Sequence, residues 1–117
     1  MNVKKTLTAI AMIMAATTNA YAGAQVISVP SDPKAQYAMV VQDVGFGKEA
    51  LLVITRRVGP SGTTFSLREV NCYNSTFRYK GEGSTLENVI ANVNDKDKMA
   101  PLTSGSISYY VALAACK

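Results

Sequence analysis

The sequence predicts a small α+β fold: an antiparallel β-meander with a C-terminal helix packed on it and tied by one disulfide. Three observations lead there. Three apolar, alternating runs follow one another between Glu49 and Lys80, separated by glycine- and asparagine-bearing turns. An alanine-rich segment, Ile107 to Ala115, carries apolar residues at helical spacing. The chain holds only two cysteines, Cys72 and Cys116, one in each of these regions.

The N-terminal stretch sets the compartment. Lys4 and Lys5 precede an apolar run, Thr6 to Thr18, and then Ala20-Tyr21-Ala22. A basic segment, a short apolar segment and an A-x-A site read in that order as a secretory signal peptide, here of bacterial type. The apolar run is shorter than the roughly 20 residues a membrane-spanning helix needs. Residues 1–22 are therefore expected to be removed near Ala22, leaving a periplasmic or secreted protein with no integral membrane segment. About 95 residues remain, one small domain. Residues 23–36, with Pro30 and Pro33 in polar surroundings, read as an extended N-terminal arm, with a short strand available around Gln25–Val29. Residues 37–117 form the single α+β domain.

Charge and absent residues narrow the function. The formal charge of +4 falls to +2 once Lys4 and Lys5 are removed, so nucleic acid is not an expected partner. The chain has no His. The usual general base near neutral pH is missing, and His-dependent triads are excluded. No cluster of residues has metal-ligand spacing. We expect no catalytic residues, no metal and no cofactor. In an oxidising compartment two cysteines pair in one intramolecular way. The bond would close a loop of about 45 residues, worth roughly 4 kcal/mol in the chain-entropy model. An intermolecular bridge and free thiols are the alternatives.

The elements follow in order. Tyr37–Val44 is a strand ended by Gly45-Phe46-Gly47, a turn and not a dinucleotide fingerprint, since no third glycine follows. Glu49–Val58 is the strongest strand signal. Gly59-Pro60-Ser61-Gly62 is a four-residue hairpin loop into Thr63–Cys72, which has Phe65 and Leu67 on one face and Ser66, Arg68, Val70 and Cys72 on the other. A turn at Asn74-Ser75 leads to a third strand ending at Lys80, and Gly81-Glu82-Gly83 closes it. Ser84–Val93 carries both a capping-box pattern and strand formers, and we read it as strand. Asn94–Lys98 is an exposed turn. In the closing segment Thr103 and Ser104 can cap a helix whose buried stripe would be Ile107, Tyr110, Val111 and Ala114; a strand is the alternative, since Ile107, Tyr109 and Val111 also alternate.

The candidate binding surface is a strip of basic and aromatic residues on neighbouring strands. It comprises Arg56, Arg57, Arg68, Arg78 and Lys80, with Tyr73 and Tyr79 beside them.

The strand ending in Cys72, the following Arg78-x-Lys80 strand with Tyr79, the Pro101…Gly105-Ser106 helix start and Cys116 together resemble the small bacterial surface-adhesin protein E type domains. The likeness spans Ala50 to Cys116, with Met99 where those domains carry Trp. It implies an antiparallel sheet disulfide-bonded to a C-terminal helix, and binding of host matrix proteins. The expected function is thus a non-catalytic binding or adhesion module of the bacterial envelope, meeting an envelope or host protein, as a monomer or weak oligomer. A small accessory factor of a secretion or conjugation apparatus, or a periplasmic inhibitor, is the alternative.

Overall fold

A computed structural model describes residues 24–117. The signal peptide reading falls on residues 1–22, outside the described residues. Six strands form one antiparallel sheet in sequence order: β1 Gln25–Ile27, β2 Gln36–Asp43, β3 Leu51–Gly59, β4 Gly62–Asn71, β5 Thr76–Gly83 and β6 Ala100–Pro101. Helix α1, Leu86–Ala91, follows β5, and helix α2, Ile107–Ala115, closes the chain. The predicted α+β architecture is the one observed.

Alternation along β3 builds two cores at once. Leu51 and Val53 point to one face, where Tyr37, Met39 and Val70 meet Val111, Ala112 and Ala115 of α2. Ile54 points to the other face, where Phe65 and Leu67 meet Val89 of α1. The sheet is a layer between two helices and not a sheet with one solvated side. The segment read as an arm supplies β1, and Ile27 and Val29 are buried in the α2-side core.

Two bulges make this arrangement work. Between Met39 and Val41 the β2–β3 register shifts by one residue. In β5, Arg68 faces Tyr79 but Leu67 faces Gly81, so Lys80 is the extra residue. Without it Phe77, Tyr79, Gly81 and Gly83 would share a face. With it the two tyrosine-side residues look toward α2 and the two glycines look toward α1. A β-carbon on Gly81 would come within 3.0 Å of the Val89 carbonyl oxygen, and one on Gly83 would collide with the Asn88 β-carbon. The glycines let α1 lie directly on the strand.

Three local expectations are corrected. Residues 84–93 are not a strand: α1 occupies Leu86–Ala91, capped by Thr85, whose Oγ1 accepts from the Asn88 N–H at 3.0 Å. The glycine pair lies at the end of β5, which closes at Gly83 as expected, and it also creates the helix seat. The β3–β4 loop is shorter than four residues, because Gly59 and Gly62 pair across the hairpin and leave Pro60-Ser61 as the loop. The α2 cap is Ser106, which accepts from the Tyr109 N–H at 3.1 Å, and the fully buried stripe is Ser108, Val111, Ala112 and Ala115. Ile107, Tyr110 and Ala114 are half-buried at its margin.

The disulfide joins Cys72, just after β4, to Cys116, just after α2, with a sequence separation of 44 residues. Two further ties hold the same end of α2. Gln42 Nε2 donates to the Ala115 carbonyl at 2.8 Å, and Lys48 Nζ donates to the Cys116 carbonyl at 3.3 Å. No helix among the described residues is long and apolar enough to cross a membrane.

Candidate functional site

The predicted basic strip is divided by the sheet. Neighbouring residues of one strand point to opposite faces, so Arg56 and Arg57 part company at once. Arg57 lies on the α2 face at the β1–β2 edge, where its Nε donates to Asp32 Oδ2 at 2.9 Å and to the Tyr37 hydroxyl at 3.1 Å. Tyr37 in turn donates to Asp32 at 2.7 Å. The hydrogen bond from Tyr37, then that from Arg57, hold the Asp32 carboxyl below its ordinary range. Burial, and secondly the bond to Asp32, push the Tyr37 phenol up. Arg56 lies on the opposite face, in a groove with Val26, Ala38 and Pro33.

Arg78 and Lys80 converge on two carboxylates. Arg78 Nη2 is 2.9 Å from Glu69 and 3.4 Å from Asp95, and Lys80 Nζ is 3.1 Å from Asp95. The Lys80 hydrogen bond is the main reason the Asp95 carboxyl is lowered. Asp95, read as part of a solvated turn, thus clamps that turn to β5. These two cations are committed to internal pairs.

Arg68 is buried, with 3% of its surface exposed. It lies on the α2 face, between sheet and helix. Its Nη1 donates to Thr55 Oγ1 at 2.8 Å, its Nε to Ser108 Oγ at 3.0 Å and its Nη2 to the Tyr79 hydroxyl at 3.2 Å. The guanidinium also sits 4.8 Å from the Tyr79 ring centre. Sequence alternation placed Arg68 on the Val70 face; it gave no sign that this face would be covered by a helix bearing Ser108.

Of the candidate residues only Tyr73 is freely presented. It is 73% exposed in the β4–β5 turn beside Cys72. At the same end of the sheet are exposed residues that the sequence alone does not single out. Phe46, in the β2–β3 connection, is 72% exposed, and Leu113, on the outer side of α2, is 50% exposed. Both connections and the C-terminal end of α2 lie at the disulfide end of the sheet, since the Cys72 N–H donates to the Lys48 carbonyl at 2.8 Å. A cleft of about 320 Å³ opens there, lined by Cys72, Leu102, Tyr109, Leu113, Cys116 and Lys117 among others. The signal in the sequence was present: large apolar residues within polar or glycine-rich loops, Gly45-Phe46-Gly47 above all.

Among the described residues there is no group of three or more His, Cys, Asp or Glu side chains that could hold a metal ion. No family model, curated protein or solved structure matches the chain.

Proposed function

We propose that the protein is a non-catalytic binding module of the bacterial cell envelope and that it meets a protein partner through its disulfide end. One observation carries this reading. Phe46, Tyr73 and Leu113, from three separate segments, are exposed at the end where Cys72–Cys116, Gln42 and Lys48 fix the helix to the sheet. Large apolar side chains held on a rigid frame suit a protein interface, where aromatic anchors dominate the binding energy. Lys48 and Lys117 border the cleft region, and the acids Asp43 and Glu49 of the same β2–β3 end are exposed, so the rim is mixed in charge. The resemblance to adhesin-type domains supports the same class of role. The leader-like residues 1–22 support the envelope address.

Photo-crosslinking tests the surface. A photoreactive amino acid placed at position 46, 73 or 113 should yield the same adduct in cells, and the same residue at Ser61, in the opposite hairpin loop, should yield none. Phe46→Ser with Leu113→Ser should abolish the adduct formed from position 73 without altering thermal stability. Capture from position 61 alone, or an adduct indifferent to the double substitution, would overturn the assignment.

A further inference from the structure

We infer that the pocket between β5 and the start of α2 binds a carboxylate group, with Arg68 as the charge behind it. Arg68 is a buried cation, and among the described residues no carboxylate lies within ion-pair distance of it. Buried charges in proteins are ordinarily paired. Arg57, Arg78 and Lys80, all less buried than Arg68, each have an acid beside them.

The way Arg68 is bonded directs the charge outward. A guanidinium has five N–H donors. Three are used, all by neutral hydroxyls, and two have no acceptor among the described residues. The Nε–Nη2 edge, the side an arginine offers to a carboxylate in a fork, faces Ser108 Oγ and the Tyr79 hydroxyl. Both oxygens therefore accept from Arg68, and their own protons must point elsewhere. They are 3.4 Å apart, so one proton at most is used between them. The other is a donor polarised by the cation.

Tyr79 and Ser108 line a pocket of about 300 Å³, together with Phe77, Pro101, Thr103, Ser106 and Ile107. Its polar contributors are hydroxyls, with no acidic side chain in the wall. Ser106 and Ile107 open α2, so the positive end of a nine-residue helix adds to the same field. A single buried positive charge is balanced by a monoanion, which favours a carboxylate over a dianionic phosphate. Thr103 and Pro101 at the mouth are exposed, so the group can enter from solvent. This pocket is at the opposite end of α2 from the surface proposed above, and its test is independent of that reading.

The purified protein is titrated with acetate, with inorganic phosphate and with chloride at matched ionic strength, followed by the Arg68 Nε–H and the Ser108 and Tyr79 amide resonances. Acetate should shift them saturably. At least one of Tyr79→Phe and Ser108→Ala should weaken acetate binding about tenfold, the loss of one hydrogen bond to a charged group, whereas Ser61→Ala should not. Circular dichroism checks that the variants fold; if they do not, the saturable shift of the wild-type Arg68 Nε–H decides. The inference is overturned by shifts that chloride reproduces, by binding unchanged in both folded variants, by phosphate binding tighter than acetate, or by no saturable shift.

Discussion

Gly83 and Asn88 touch with no room for a β-carbon between them. This contact seats α1 on β5 and completes the second core, in which Val89 is wholly buried. Gly83→Ala should therefore cost about 1–3 kcal/mol, the usual range for overpacking. Urea unfolding would give the loss, and amide exchange should show that Val89 and Ile90 lose protection ahead of the β3–β4 hairpin.

Arg68 organises three hydroxyl oxygens across two layers, those of buried Thr55 and Ser108 and of half-buried Tyr79. Arg68→Ala would leave Thr55, Ser108 and Tyr79 short of their donors and open a void under α2. We expect a loss of about 3 kcal/mol or more. Arg68→Met fills the volume without the charge and should recover part of this. The pair of variants, compared by chemical denaturation, separates packing from hydrogen bonding.

Cys72 and Cys116 lie 44 positions apart in sequence. Replacing both by Ala removes the cross-link, with an expected loss of about 3–4 kcal/mol. The two ties from Gln42 and Lys48 remain, so α2 should stay helical by circular dichroism while the melting temperature falls. The wild-type protein should show no free thiol under denaturing conditions without reductant.

The Asp32–Tyr37–Arg57 triad sets both pH limits of that edge. Asp32 is lowered in the folded state. Its contribution is therefore present above the unfolded carboxyl value of about 4, and is lost as pH falls through the lower folded value. Tyr37 is raised. Its contribution is complete below the unfolded value of about 10, and is lost as pH climbs through the higher folded one. Asp32→Asn should flatten the acid limb of a stability–pH curve by lowering the neutral plateau, where the Asp32 contribution is fully present. Tyr37→Phe should remove the alkaline dependence.

The central hairpin was legible because β3 and β4 carry strong strand formers around a proline–glycine turn, and local chemistry alone fixes such a unit. The disulfide was legible because two cysteines have one pairing. The segment Ser84–Val93 was misread for a physical reason. Its helix depends on a seat made by Gly81 and Gly83, and glycine in sequence signals a turn as readily as a close approach. The bulge at Lys80, which aims those glycines, has no mark in the sequence. The basic residues were placed on the right strands, yet strand membership says nothing about partners. Asp32, Glu69 and Asp95 come to them from separate segments. The exposed Phe46 and Leu113 were visible as residues, but only the fold brings them to one end.

Strand order that follows sequence order has a consequence for how the chain assembles. Each new strand adds to the one made just before it, so the sheet can zip up progressively with short loop closures and little topological search. The long-range steps are those of α2, which must return to β1 and β2 to cover Ile27 and Met39. Only then is Cys116 beside Cys72. The covalent bond is thus a lock that closes on a finished meander, and a chain emerging N-terminus first could not close it early on the wrong register.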